Sequence, residues 1–185
     1  MDNSVSRRRF LAGAAASLPA LLVLPGGLEA ITTMGRRYAT RSLSFVHLHT
    51  GERLTTAYWS AGDYVPESLS LVNRVLRDWR TGEVRAIDPA LLDLLHDLRD
   101  ATGTSAPFEV ISGYRSPATN GKLAAGSSGV AKSSLHMVGR AIDIRLADVP
   151  LDRLRDSAIA LDRGGVGYYR SSNFVHVDTG RVRTW

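Results

Sequence analysis

Cysteine is absent from this chain of 185 residues. No disulfide can therefore stabilise the fold, and any metal site has to use histidine, aspartate or glutamate as its ligands. The absence leaves the cellular compartment open, because exported proteins also occur without disulfides. Hydrophobic residues make up 44% of the chain and charged residues 22%, so a single domain with a core of ordinary size can form.

The sequence also has no block of basic residues interleaved with aromatic ones. Its formal net charge is +5, but lysine and arginine are scattered along the chain. This is not the composition of a nucleic-acid-binding surface, and we expect no nucleic-acid partner. A modest positive charge favours an anionic partner, such as a cell-wall polymer or a membrane surface.

No uninterrupted hydrophobic run is long enough to form a stable membrane span. The apolar stretch of residues 10–28 is broken by two prolines and a pair of glycines. It follows the arginine-rich sequence SRRRFL at positions 6–11, and together they resemble a twin-arginine signal peptide. We expect residues 1–30 to be this signal peptide and residues 31–185 to be the exported domain. The alternative is that the segment stays attached as an N-terminal anchor.

Strand-like and helix-like patterns follow one another irregularly, without repeats or a regular strand–helix–strand unit. Alternating segments predict two hairpins and two further strands, and apolar residues at helical spacing predict four helices. The predicted hairpins cover residues 41–59 and 166–180, the strands 107–115 and 139–146, and the helices 65–80, 88–103, 116–126 and 150–165. Asp88 is the predicted N-cap of the second helix, which ends at Gly103. This mixture predicts an α+β fold.

A carboxylate interrupts the apolar strand in the middle of the predicted segment 139–146. Side chains alternate between the two faces of a strand, so Asp143 points away from the core residues Ile142 and Ile144. In the C-terminal hairpin, His176 also faces away from the core. If these two strands are neighbours, Asp143 and His176 meet, and His136 on the preceding loop can join them.

Two imidazoles and one carboxylate are a ligand set for a zinc site with an open fourth position. A zinc ion there would balance the charge of Asp143 and polarise a substrate carbonyl. The spacing by itself leaves an alternative open. In that alternative Asp143 pairs with Arg115, Arg140 or Arg145, and the histidines take no part in a site.

The residues around this carboxylate carry a family resemblance. The pattern S-x-H-x-x-G-x-A-x-D resembles the signature of the zinc D-Ala-D-Ala peptidases, and it is formed by Ser134, His136, Gly139, Ala141 and Asp143. The segments SGYRS (residues 112–116) and NFVHVDTGRVR (residues 173–183) complete the pattern, which is most similar to the murein endopeptidase K branch of that family. The resemblance covers roughly residues 40–185.

The resemblance implies a fold, a metal and one substrate-binding residue. The fold is that of the group containing lysostaphin-type enzymes, D-Ala-D-Ala peptidases and hedgehog domains, with a mostly antiparallel central sheet flanked by helices. His136, Asp143 and His176 are the implied ligands of one zinc ion per chain. Arg115 is implied to bind a substrate carboxylate or to steady the oxyanion that forms during hydrolysis.

The sequence departs from the family pattern at the position of the catalytic base. Many D-Ala-D-Ala peptidases have a glutamate or aspartate three residues before the last histidine, whereas this chain has Asn173, which cannot act as a base. Asp178 is the nearest carboxylate and is the provisional candidate for the base. It could equally be a residue that orients one of the imidazoles, and both roles remain open.

The implied function is that of a zinc metallopeptidase of the bacterial envelope that hydrolyses peptide cross-links in peptidoglycan. We expect it to act as a monomer in the periplasm, on peptidoglycan peptide stems. The twin-arginine route carries folded proteins, which suits a protein that acquires its metal before export. One alternative is a D-Ala-D-Ala-type carboxypeptidase, and another, which Asn173 favours, is a non-catalytic zinc-containing module that binds the cell wall.

Overall fold

The computed structural model describes residues 40–126, 131 and 133–185, and the predicted signal peptide lies outside these residues. Eight strands are present in this part of the chain. They are β1 (Arg41–His47), β2 (Arg53–Ser60), β3 (Asp63–Tyr64), β4 (Phe108–Ser112), β5 (Ala141–Arg145), β6 (Gly165–Tyr169), β7 (Phe174–Asp178) and β8 (Arg183–Thr184). They form one sheet in the order β3-β2-β1-β4-β5-β7-β6-β8. Only the pairs β1/β4 and β6/β8 are parallel, so the sheet is mostly antiparallel.

The described residues also form four α-helices and two short 3-10 turns. The helices are α1 (Pro66–Val75), α2 (Pro89–Thr102), α3 (Pro117–Gly126) and α4 (Leu151–Ala160), and the 3-10 turns cover Leu135–Val138 and Arg170–Ser172. As predicted, the Asp88 side chain caps α2 by accepting a hydrogen bond from the N–H of Ala90, and Gly103 ends that helix with φ of +71°. The α+β prediction is confirmed.

The predicted hairpins are both present, but the first helix is shorter than predicted. It was expected to cover residues 65–80 and instead ends at Val75, so Trp79 lies beyond it. The backbone turns away from helical geometry at Leu76, whose carbonyl accepts a hydrogen bond of 2.7 Å from the N–H of Tyr114. A contact with a segment almost forty positions away therefore ends a helix whose local pattern would continue.

Helices α1, α2 and α4 pack against one face of the sheet. Fully buried leucines of α2 and α4 meet strand residues such as Phe45, Ile142 and Val177 in a single core. Since side chains alternate along β5 and β7, Asp143 and His176 are left on the face of the sheet opposite this core. None of the helices in the described part of the chain has the length and apolar character needed to span a membrane.

Candidate metal centre

Asp143 and His176 are direct neighbours across the antiparallel pair β5/β7. The Oδ1 atom of Asp143 lies 2.9 Å from the Nδ1 atom of His176. The sequence predicted this contact on the condition that the two strands are adjacent, and the structure meets that condition. Cross-strand pairing fixes the separation of the two side chains within the rigid centre of the sheet.

His136 reaches the same point from the 3-10 turn that precedes β5. Ser134 caps this turn by accepting a hydrogen bond from the N–H of His136, and Gly139 ends it with φ of +68°. A side chain at Gly139 would also collide with the carbonyl of Ala86, so the position requires glycine. The glycine between His136 and Asp143 is therefore the point where the chain turns from the loop into the strand.

Three ligand atoms converge in this way. His136 Nε2 lies 3.2 Å from Asp143 Oδ1 and 3.2 Å from His176 Nδ1. All three side chains are at least nine-tenths buried. Ligand atoms about 2.0–2.1 Å from a tetrahedral zinc ion lie roughly 3.3–3.4 Å from one another, so the observed separations are within about 0.5 Å of that spacing.

Hydrogen bonds on the outer side of each imidazole determine which ring nitrogen carries the proton. His136 Nδ1–H donates to the carbonyl of Gly113 at 2.7 Å, and His176 Nε2–H donates to Oδ2 of Asp178 at 2.9 Å. A carbonyl and a carboxylate can only accept, so the inward nitrogens His136 Nε2 and His176 Nδ1 keep their lone pairs. In this protonation state three acceptor atoms face one another, and a cation bound between them would remove their repulsion. The residues present fit a metal ion.

The charges around the site are coupled. Burial opposes ionisation of Asp143, but the imidazoles of His136 and His176 hold the pKa of this carboxyl well below its usual range. Burial likewise disfavours the protonated ring of His176, yet the carboxylates of Asp143 and Asp178 raise its pKa above the ordinary value. The raised pKa of His176 reflects the negative charge of the two carboxylates, which would also stabilise a bound cation.

Arg115 contacts the second oxygen of the same carboxylate. Its guanidinium donates to Asp143 Oδ2 at 3.2 Å, while Asp143 Oδ1 faces the two imidazoles. The pairing of Asp143 with Arg115 therefore does not exclude the histidines, because one carboxylate oxygen faces the arginine and the other faces the two imidazoles. Arg140 and Arg145 are engaged elsewhere, with Thr179 and Glu109.

Asp178 is fully buried behind His176. Its Oδ2 accepts from His176 at 2.9 Å and from Arg183 at 2.7 Å, and its Oδ1 accepts from Arg183 and from the N–H groups of Gly165 and Gly180. Burial opposes its charge, but the hydrogen bonds from His176 and Arg183 hold the pKa of Asp178 below its ordinary value. Both oxygens are already occupied by donors. This geometry favours the second of its two predicted roles, orientation of an imidazole.

Asn173 lies outside the site. It is exposed, adopts φ of +55° at the end of the second 3-10 turn, and lines a separate hollow with Glu109 and Arg145. Asparagine tolerates this left-handed backbone conformation better than most residues. The position where many D-Ala-D-Ala peptidases have their base therefore serves as a turn in this chain.

A cavity of about 350 Å³ opens beside the three converging side chains. Arg115 lines it together with Tyr169, Phe174, Arg183 and Trp185. No local pattern in the sequence had indicated a role for Arg183 or Trp185 in the site. Arg183 begins β8 and Trp185 directly follows it. This strand has two residues, too few to form a pattern that can be recognised in the sequence.

Comparison with known proteins confirms the family resemblance that the sequence predicted. The family model described as Peptidoglycan L,D-endopeptidase MepK matches residues 36–185. The Escherichia coli (strain K12) protein named Peptidoglycan L,D-endopeptidase MepK is 39% identical over 180 residues, which cover 97% of each chain. A Haemophilus influenzae protein named Probable peptidoglycan L,D-endopeptidase MepK is 43% identical over 164 residues, covering 88% of this chain and 87% of that protein. The chain therefore belongs to the MepK family of peptidoglycan L,D-endopeptidases, within the M15 peptidases.

Proposed function

We propose that this protein is a zinc-dependent endopeptidase of the bacterial envelope that hydrolyses peptide cross-links in peptidoglycan. The observation that carries the proposal is the convergence of three acceptor atoms whose outer hydrogen bonds leave their lone pairs directed at one point. The names of the relatives support an amide bond between an L and a D centre as the bond that is cut.

His136, Asp143 and His176 are the residues that would hold the metal. A bound zinc ion would supply an activated water molecule and polarise the carbonyl of the amide that is cut. Among the described residues, these three form a cluster able to hold a metal ion, and its donor set of two imidazoles and one carboxylate suits zinc. We propose one zinc ion per chain.

Arg115 and Asp178 would act beside the metal ligands. The Arg115 guanidinium lies at the cavity wall, where it would bind a substrate carboxylate or the oxyanion. Its bond to Asp143 would hold this carboxylate in place. Asp178 would hold the proton on His176 Nε2, which keeps Nδ1 available as a ligand.

The remaining features of the proposal rest on the sequence and the family. Residues 1–30 would be a twin-arginine signal peptide that directs residues 31–185, the zinc peptidase domain, to the periplasm as a monomer. The mostly antiparallel sheet and its helices are consistent with the fold group of the D-Ala-D-Ala peptidases and hedgehog domains.

Digestion of purified peptidoglycan tests the function. The purified chain should convert cross-linked stem dimers into monomers, a chelator should stop the reaction, and added zinc should restore it. Fragment analysis separates the alternatives: a carboxypeptidase would release terminal D-alanine and leave the dimers intact. A protein that sediments with peptidoglycan and releases no fragment would be a binding module, and either result would overturn the proposal.

A further inference from the structure

The short strand β8 pairs with β6 at the edge of the sheet. The two strands are parallel, with Gly165 opposite Arg183 and Val166 opposite Thr184. Trp185 continues the pairing, because its carbonyl accepts from the N–H of Tyr168 and its N–H donates to Val166. The side chains of Arg183 and Trp185 therefore follow the same face of the sheet as the metal-centre residues.

Gly167 is the position that admits the Trp185 indole. It pairs with His176 across β6/β7, so it lies directly beside a residue of the metal centre. A Cβ atom at Gly167 would come within 2.7 Å of the indole, which is closer than carbon atoms approach without displacement. The missing side chain is thus the space that the indole occupies, and any other residue there would shift the ring.

The indole is held in a defined orientation. Its Nε1–H donates to the hydroxyl of Tyr169 at 2.8 Å, and its ring lies 5.2 Å from the imidazole of His176. The guanidinium of Arg183 lies 4.8 Å from the ring centre, and Tyr169 in turn stacks on Phe174 at 4.5 Å. Despite these contacts Trp185 is still 50% exposed, and it lines the cavity beside the metal centre.

We propose that Trp185, Tyr169 and Phe174 form a substrate-binding wall that packs against the aliphatic part of a peptide-stem residue next to the amide that is cut. This inference rests on the proposed function, and it adds the recognition element. A fixed, half-exposed aromatic surface binds apolar groups at little cost in side-chain entropy. The cavity of about 350 Å³ lies at the lower end of small-molecule sites, which suits a short extended peptide.

The charges of the cavity agree with this substrate class. Arg115 and Arg183 are the arginines among the described residues that line the cavity. The carboxylate in this lining, Asp143, already faces two imidazoles and Arg115. The site therefore combines an apolar wall with guanidinium groups. A peptide that has aliphatic side chains and free carboxylates, as peptidoglycan stems have, complements both features.

Steady-state kinetics on soluble cross-linked stem dimers test the wall. Trp185→Ala should raise KM about 10–100-fold with little change in kcat, because a contact made equally in the ground and transition states affects KM alone. Gly167→Ala, which keeps the indole but displaces it, should also raise KM. Zinc content should stay at the wild-type level in both variants. Val182→Ala removes an exposed side chain of the same segment outside the cavity, and it should leave both constants unchanged.

Fluorescence measures binding without turnover. In chelator-treated protein, the dimers should change the tryptophan emission of the wild type in a saturable manner. Trp185→Phe keeps an aromatic ring at this position for folding, and its remaining tryptophans are Trp59 and Trp79. The tryptophan emission of this variant should not change when the dimers are added. An equal change of emission in both proteins would overturn the proposed substrate-binding wall. A wild-type KM in Trp185→Ala would also overturn it, as would a loss of zinc large enough to explain the raised KM of that variant. A wild type that binds the dimers through Trp185 but does not cleave them would instead refute only the proposed function.

Discussion

Replacing Asp178 by asparagine separates the two roles that this residue could have. The substitution keeps the shape of the side chain, but it changes one acceptor oxygen into an NH₂ donor. Both oxygens of Asp178 face only donors: one faces His176 and Arg183, and the other faces Arg183 and two backbone N–H groups. In either orientation the new NH₂ group therefore opposes a donor.

The expected effect is on metal affinity. If the NH₂ group faces His176, the imidazole loses the acceptor that keeps its proton on Nε2, and the tautomer with a proton on Nδ1 cannot bind metal. Loss of such an orienting partner weakens metal binding by about 10–100-fold. The unsatisfied buried donors should also lower the free energy of unfolding by about 1–3 kcal/mol.

Zinc titration and turnover are measured on the same protein preparations. Asp178→Asn should lose activity at limiting zinc and regain most of it at excess zinc. Glu109→Gln is a matched control, because Glu109 is also a strand carboxylate paired with an arginine, Arg145, but contacts no metal-centre residue. It should bind zinc with wild-type affinity.

The opposite result would refute this role. If Asp178→Asn binds zinc as tightly as the wild type and still loses about 10²–10⁴-fold in turnover, Asp178 is a general base. The buried, fully hydrogen-bonded position of its carboxylate would then have to open during the reaction.

Three further outcomes follow from the other contacts. His136→Ala should lose the single bound zinc ion, whereas His96→Ala on α2 should retain it; equal zinc in wild type and His136→Ala by metal analysis would contradict the centre. Arg115→Lys keeps the positive charge but loses the planar guanidinium, so kcat/KM should fall about 100-fold at normal zinc content. The control variant Arg145→Lys should stay active. Unchanged turnover in Arg115→Lys would show that Arg115 takes no part in the site. Burial opposes ionisation of Asp78, but hydrogen bonds from Thr119 and Ser116 hold its pKa at about 2, below the ordinary 3.8. The ionised carboxylate therefore stabilises the fold above about pH 4, and this stabilisation is lost as the pH falls toward 2. Asp78→Asn should be about 1–3 kcal/mol less stable than the wild type at pH 7, and urea unfolding should show this difference shrinking below pH 4. A stability difference that does not depend on pH would contradict this role of Asp78.

The local sequence was sufficient to place the metal-centre residues on one face. Alternation along a strand is a property of the backbone, so Asp143 and His176 had to point away from Ile142 and Val177 once the two segments were recognised as strands. The turn at Gly139 was also visible as a glycine between His136 and the strand. The α+β class followed from the same local periodicities, which need no knowledge of distant contacts.

Only the tertiary structure decided what surrounds these residues. Strand alternation puts Asp178 on the same face as His176, but its orientation also depends on donors outside β7: Gly165 in β6, and Gly180 and Arg183 just after β7. The end of α1 also depends on another segment, because the N–H of Tyr114 donates to the carbonyl of Leu76. Trp185 enters the cavity because Gly167, on another strand, leaves room for its ring. Gly165, Tyr114 and Gly167 each act on a residue of a separate strand or helix, and no local pattern records such a contact.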